Sequence, residues 1–314
     1  MIRIATRRSP LAKWQANHVA DLLRAREPGL EVQLHELVTR GDKILEVPLA
    51  QVGGKGLFVK EIEDALLHRE AEIAVHSMKD LPAVLADGLT VGAVPVREDP
   101  RDALCSRTAR SLADLPKGAR VGTASLRRAA QLLSVRPDLA IETIRGNVQT
   151  RLNKLDHGLD AVVLAYAGLK RLGLAEHASY VFPTEEMLPA VAQGALALEA
   201  RVDDAATMTR LAVLDHPETR WRVEAERGLL ARLEGGCQVP IAGHAVVEGG
   251  RVSIRALVCS LDGRKVVRGD RSGPVAEARA IGTALADELL SRGAGDILRE
   301  CEGLAKNLPA PGAP

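Results

Sequence analysis

Arginines, serines and glycines with the means to hold an anion recur in this chain at one kind of place. Arg7 and Ser9 follow the apolar run IRIAT (2–6). Thr123, Ser125, Arg127 and Arg128 close or follow RVGT (120–123). Arg145, Gly146 and Asn147 follow AIETI (140–144), and Arg151 comes one helical turn later. Each run reads as a strand and each segment after it as a helix, so these side chains fall at strand carboxyl ends. Ligands of open parallel sheets bind at that edge, where helix N-termini also offer backbone N–H groups to anions. A guanidinium fork matches a carboxylate or phosphate with two bonds, a geometry lysine does not reproduce. One such arginine could be a surface ion pair; the set points to a polyanionic ligand lying between two domains.

HSMKDLP (76–82) follows EIAV and puts Ser77, Lys79 and Asp80 at a similar edge. A carboxylate beside basic groups can stabilise a cation forming on a substrate or relay a proton; Asp80 could equally cap a helix. GGKGLFVKE (53–61) lacks the Lys-Ser/Thr ending of a phosphate-binding P-loop, and a lid turning Lys55 and Phe58 toward the ligand is as plausible. Cys237, in LEGGCQVPIAGH (233–244), has two glycines before it and a proline three residues after, which suits a bare, sharply shaped loop. Its thiol could be a nucleophile, a metal ligand, half of a disulfide, an attachment point or none of these. Cys105, Cys237, Cys259 and Cys301 are scattered, with no CxxC pair, which argues against disulfides and against zinc. No glycine elbow or His/Asn context supports a Cys–His hydrolase. The eight histidines form no metal pattern, and no metal site is expected. His18 falls within a helix, His216-Pro217 at the end of one, and His76 reads as a satisfied core histidine.

The elements that must position these groups alternate. Strand-like IRIAT, EVQLHELV (31–38) and EIAVHS (72–77) are separated by a helix from Ser9-Pro10 to about Arg26 and another over FVKEIEDALLHRE (58–70). After REDPRD, strands 120–123, 140–144 and 160–165 alternate with helices 125–136 and 147–155, and AVVLAYAGL (161–169) reads as a buried strand and a turn. This predicts parallel α/β sheets. A helix over 221–234 is followed by strand-like GHAVVEG, RVSIRALVCS and KVVRGD and a helix over 274–293, which predicts a small α+β domain. The tail LPAPGAP is expected to fray. No internal sequence repeat is visible.

The 314 residues allow two or three domains, and 46% hydrophobic with 26% charged residues suits a chain with real cores. Net charge is +1, so there is no global footprint for nucleic acid or an anionic membrane, and an anion site must be built locally. No signal-peptide or membrane-length apolar run is seen, which predicts a cytoplasmic protein.

VHSMKDLP, GTASLRRAAQL, RGNVQTRLNKLD, LPAVAQGALALEAR and LEGGCQVPIAGHA, in this order and at these spacings, closely resemble the hydroxymethylbilane synthase (porphobilinogen deaminase) family over about residues 1–260. The resemblance implies two α/β domains like the lobes of periplasmic-type binding proteins plus a small α+β third domain. Domain 1 is expected over 1–96 and 194–214, domain 2 over 100–190 and domain 3 over 217–314, with the chain crossing back after Gln193. The implied reaction joins four porphobilinogens head to tail onto a covalent dipyrromethane primer, releasing ammonia and finally hydroxymethylbilane. The implied cofactor is that dipyrromethane, attached by a thioether to Cys237. Asp80 is implied as the catalytic group. The cofactor would be held by Lys79, Asp80, Thr123, Ser125, Arg127, Arg128, Arg145 and Gly146. The substrate would be held by Arg7, Ser9, Lys55, Phe58, Ser77, Arg145, Arg151, Arg171 and Gln193. The resemblance also implies a monomer acting on porphobilinogen, with no nucleic-acid or membrane partner. The alternative is a non-catalytic two-lobed anion-binding protein.

Overall fold

The structure is a computed structural model that describes residues 1–39, 41, 59–233 and 239–306, with the backbone alone at 302 and 304–306. Lys55, Phe58, Cys237 and the tail LPAPGAP lie outside the described residues. The chain begins with β1 (Ile2–Arg7), α1 (Pro10–Arg26), β2 (Val32–Leu37), α2 (Lys60–Leu67), β3 (Ile73–Ser77) and β4 (Leu89–Ala93). It continues through β5 (Asp102–Cys105), β6 (Arg120–Gly122), α3 (Leu126–Val135), β7 (Ala140–Glu142) and α4 (Val148–Leu152). Then come β8 (Ala161–Ala165), α5 (Tyr166–Arg171), β9 (Tyr180–Val181), β10 (Leu196–Arg201) and α6 (Ala205–Ala212). The last elements are α7 (Pro217–Arg232), β11 (Ile241–Glu248), β12 (Arg251–Cys259), β13 (Val266–Pro274), α8 (Ala278–Leu289) and α9 (Gly295–Lys306).

These elements form two compact units. The first takes the described residues of Met1–Leu45, Gly54–Glu98 and Gly194–Arg220; the second takes those of Asp99–Gln193 and Trp221–Pro314. In the first unit one sheet runs β2-β1-β3-β10-β4. β1 is parallel to both neighbours, whereas β10 is antiparallel to β3 and β4. α1 packs one face: Ala16, Val19, Ala20 and Leu23 recur at helical spacing and meet Ile2, Ile4, Ile73, Val75 and Leu198. The strand residues of opposite parity, Ala5 and Ala74, meet Ile62 and Leu66 of α2 on the other face. Beside this core His76 Nε2 lies 2.8 Å from Glu199 Oε2, both buried, so His76 is the satisfied core histidine its surroundings predicted.

In the second unit the large sheet runs β7-β6-β8-β5-β9, with β6 parallel to β7 and β8, and β5 antiparallel to β8 and β9. Leu104, Val121, Ala161 and Val163 face Leu132 of α3; Ala103, Cys105, Val162 and Leu164 face Leu152 of α4 and Leu169 of α5. The two sheets share one plan, three parallel strands and then an antiparallel one, although no sequence repeat announces it. Backbone pairing repeats without side chains having to. A third sheet, β11-β12-β13, is a fully antiparallel meander. α7 and α8 approach backbone to backbone beside it: a Cβ at Gly282 would lie 1.8 Å from the Ala225 carbonyl oxygen, and one at Gly228 would lie 2.3 Å from that of Arg279. The expected fold class therefore holds, two α/β sheets with a smaller α+β portion.

Four local expectations are corrected. The sheets are mixed rather than wholly parallel, because β5 and β10 are not reached by the short helix crossover that a parallel neighbour needs. Residues 166–171 form a helix, not a turn. His216 begins α7 rather than ending a helix: its carbonyl accepts from Arg220 N, its Nδ1 pairs with the Thr219 hydroxyl, and Pro217 takes the first helical position. The helix expected over 274–293 begins only at Ala278, after strand β13 and a 3-10 turn over Val275–Glu277; it ends as expected at Gly293, whose φ of 94° is left-handed, and α9 follows.

Candidate functional site

In the first unit β1 and β3 are parallel neighbours, Ile4 opposite Ile73 and Ala5 opposite Ala74, so their carboxyl ends share one edge. β1 ends at Arg7. Ser9 then caps α1, its hydroxyl accepting from Ala12 N at 3.3 Å with Pro10 in the first turn. Local chemistry dictated this join, and the sequence read it correctly. β3 ends at Ser77, whose hydroxyl accepts from Gln15 Nε2 at 2.7 Å. Gln15 is buried on the core face of α1, and no motif had marked it. A single 3-10 turn, Met78–Asp80, then carries Lys79 half-buried and Asp80 exposed. One edge therefore gathers Arg7, Ser9, Ser77, Lys79 and Asp80.

In the second unit β7, β6 and β8 are parallel, and their carboxyl ends form the corresponding edge. Past β6, Thr123 Oγ1 accepts from Ser125 N at 3.1 Å, and Ser125 caps α3. Past β7, Asn147 Oδ1 accepts from Thr150 N at 2.8 Å and starts α4. Gly146, before it, has φ 106°. Its carbonyl accepts from Arg151 Nε at 2.9 Å, so the turn orients the arginine as well as the helix. Burial pushes the half-buried Arg145 guanidinium below its ordinary value. Past β8, Arg171 ends α5 and is buried.

Arg127 and Arg128 are nearly enclosed, at 4% and 5% exposure, and both pair with Asp102, which is fully buried on β5. Arg127 Nη1 donates to Asp102 Oδ2 at 2.6 Å and to the Leu188 carbonyl at 2.8 Å. Arg128 donates through Nε to Asp102 Oδ1 at 2.9 Å and through Nη1 to the Val163 carbonyl at 3.0 Å. Gln193 Nε2 adds a bond of 2.9 Å to Asp102 Oδ1 and one of 2.8 Å to the Pro100 carbonyl. Burial alone would push the Asp102 carboxyl up; the charges of Arg127 and Arg128 outweigh it and hold the group well below the usual carboxylate range. Burial pushes the Arg128 guanidinium down, against the pull of Asp102. Among the described residues, two guanidiniums thus share one carboxylate, and one buried positive charge is left over. Arg127 Nε is also buried, with no hydrogen-bond partner among the described residues.

Sequence reasoning passed over Asp102 and also Glu226. The carboxylate of Glu226, fully buried on α7, accepts from Ala192 N at 2.5 Å and from Ala245 N at 2.8 Å. It holds Ala192 in a left-handed conformation (φ 58°), next to Gln193. Among the described residues no group of three or more His, Cys, Asp or Glu side chains is arranged to hold a metal.

These edges define an α/β protein whose strand ends carry guanidiniums and capped helix starts in each unit and, in the first, an exposed carboxylate. A family model for the porphobilinogen deaminase dipyrromethane-cofactor-binding domain matches residues 2–209, and one for the porphobilinogen deaminase C-terminal domain matches 221–291. The chain belongs to the porphobilinogen deaminase family. Its activity is that of a transferase of tetrapyrrole biosynthesis, hydroxymethylbilane synthase, joining four porphobilinogens stepwise and head to tail onto a dipyrromethane primer with release of ammonia. Solved structures similar to this chain include a nutrient-binding protein from Burkholderia cenocepacia bound to methionine, at 14% identity, covering 67% of this chain and 90% of that one, TM-score 0.42. Another is an ABC-transporter periplasmic substrate-binding protein from Coxiella burnetii, at 14% identity, 68% and 91% coverage, TM-score 0.43. The family match does not favour the alternative of a non-catalytic anion-binding protein.

The residues fit the dipyrromethane. Its rings carry acetate and propionate groups, and the Arg127–Arg128–Asp102 cluster has the surplus buried positive charge that a carboxylate would neutralise.

Proposed function

We propose that Cys237 is the cofactor's thioether attachment point and Asp80 the catalytic group of this transferase. The arginines at the strand ends hold the carboxylates of the cofactor and of the growing chain. The observation that carries this reading is the charge imbalance at Arg127 and Arg128, two enclosed cations over one carboxylate. An anionic ligand completes such a cluster, and a neutral one would leave a buried charge uncompensated. The bound dipyrromethane supplies the pyrrole carbon to which the first substrate is joined.

The chain's own residues supply the rest. Lys79, Thr123, Ser125, Arg145 and Gly146 join the arginine pair in holding the cofactor. Arg7, Ser9, Ser77, Arg151 and Arg171 hold substrate carboxylates, and Lys55, Phe58 and Gln193 belong to the same assignment. Asp80, exposed at a cationic edge, stabilises the positive charge that builds on a substrate as ammonia leaves, and it assists proton transfer. A carboxylate suits this because the pairing strengthens only as the cation forms, which is differential binding of the transition state. The same proposal takes the protein as a cytoplasmic monomer without nucleic-acid or membrane partners, an expectation that rests on the resemblance and on the near-balanced charge.

The test is the intact mass of the denatured protein beside that of Cys237→Ser. An adduct of two linked pyrrole units on the parent, absent from the variant, is expected. An adduct of that mass on both proteins would overturn the assignment of Cys237.

A further inference from the structure

We propose that Asp102 is the positioning residue of the Arg127–Arg128 pair, and that it sets the pair's surplus at one positive charge so that a ligand carboxylate becomes its counter-ion. This rests on the reading that the two arginines receive carboxylates. Asp102 itself touches no ligand in this account; it acts through the two guanidiniums.

The geometry behind it is local and dense. One carboxylate takes Arg127 Nη1 on Oδ2 at 2.6 Å; Arg128 Nε at 2.9 Å, Arg128 Nη2 at 2.8 Å and Gln193 Nε2 at 2.9 Å all reach Oδ1. Its strand is held on both sides, by β8 and by β9, so the carboxylate is a fixed point. Adjacent residues of one helix turn carry two like charges here, and in a low-dielectric interior their repulsion is large. With Asp102 ionised, the two can lie against the same oxygens and the cluster carries one net positive charge. With a carboxamide in that place the cluster carries two, the guanidiniums lose their common acceptor, and nothing fixes their spacing before the ligand arrives. The carbonyls of Leu188 and Val163 then remain as acceptors, and each serves only one arginine. Gln193 braces the carboxylate further by bonding the Pro100 carbonyl, two residues before Asp102.

The experiment mixes cofactor-free protein with porphobilinogen and follows the gain of the dipyrromethane adduct by intact mass. Four proteins are compared: the parent, Asp102→Asn, the double variant Arg127→Gln/Arg128→Gln, and the triple variant combining all three. Asp102→Asn is expected to load about 10–100-fold more slowly, the range met when a group standing behind ligand-holding residues is removed. In the double-glutamine background the same substitution should change loading by less than about twofold, because the residues through which Asp102 acts are no longer charged. A melting curve on each protein registers general loss of stability, which would not produce this non-additivity. Loading of Asp102→Asn at the parent rate overturns the inference. So does an equal factor of loss in both backgrounds, which would mark Asp102 as merely structural. If the double-glutamine variant itself loads like the parent, the arginine reading fails instead, and the two failures are distinct. Should Asp102→Asn not fold, the comparison is made with Asp102→Glu, which keeps the charge but displaces it, with the same expected pattern.

Discussion

Two aspartates in this protein have the same chemistry and opposite surroundings. Asp102 is enclosed and bound by two guanidiniums, whereas Asp80 ends a single turn with its carboxylate in solvent. Asp80 can therefore pair with a charge that appears only during reaction, and Asp102, already paired, cannot. Asp80→Asn should retain the fold and the cofactor mass but lose about a hundredfold or more in kcat. Turnover by the loaded variant at close to the parent rate would sink the assignment. Asp102 has a pH signature of its own. Its folded carboxyl lies well below the unfolded value of about 3.9, so its ionised form stabilises the protein at every pH above that value. The contribution fades across the window between the unfolded value and the depressed folded one, and is gone once pH has fallen through the latter. The gap in melting temperature between parent and Asp102→Asn should be constant from pH 7 to about 5 and narrow progressively below about pH 4. A gap that narrows already between pH 7 and 5 would contradict the pairing.

At the scale of elements, the site depends on how strands hand over to helices. The turn Arg145-Gly146-Asn147 does this under constraint. Gly146 has φ 106°, and a Cβ there would lie 2.7 Å from Thr150 Cγ2 and 2.8 Å from Thr150 Cβ. Thr150 cannot step aside easily, since its hydroxyl lies 3.0 Å from Asn147 Oδ1 and its N–H completes the helix cap. Gly146→Ala should cost about 1–3 kcal/mol and turn Arg151 away from the Gly146 carbonyl. A melting curve reads the first, and a raised KM for porphobilinogen the second. An unchanged melting temperature would show that the turn relaxes without cost. Joins of this kind are what the sequence makes legible. Ser9 acts on Ala12, three positions away, with Pro10 between them, so the local sequence alone reveals its role; Ser125 caps α3 in the same way, although the sequence marks it as an anion-holding residue. Asp102 is illegible for the converse reason: its partners Arg127, Arg128 and Gln193 lie 25, 26 and 91 residues away. The strand DALC that carries it is buried throughout and shows no alternation. Glu226 is hidden likewise, inside a segment that reads only as a helix over 221–234, and its partners Ala192 and Ala245 lie 34 and 19 residues away. The mixed sheets escaped because the antiparallel strands β5 and β10 are buried at every position, so no periodicity encodes their direction.

At the scale of the whole molecule, the burial of the three described cysteines, set against what the proposed function requires of Cys237, makes the attachment countable. Cys105 is fully buried, and its thiol is pushed up to about 12 by desolvation. Burial likewise pushes Cys259 up to about 11, and Cys301 is buried. A thiol reacts as its thiolate, so at neutral pH Cys105 and Cys259 are protected both by enclosure and by protonation, and Cys301 by enclosure. The proposed function requires the opposite of Cys237, a sulfur that porphobilinogen can reach in the cofactor-free protein and that is consumed once the thioether forms. Alkylation under native conditions should therefore modify the cofactor-free protein once and the loaded protein not at all. After denaturation the cofactor-free protein should take four alkyl groups and the loaded protein three. Peptide mapping should place the unalkylated cysteine at 237. If the denatured loaded protein took four alkyl groups and still carried the dipyrromethane mass, the cofactor would be attached through something other than a cysteine. The thioether reading would then fall, whatever the arginines hold.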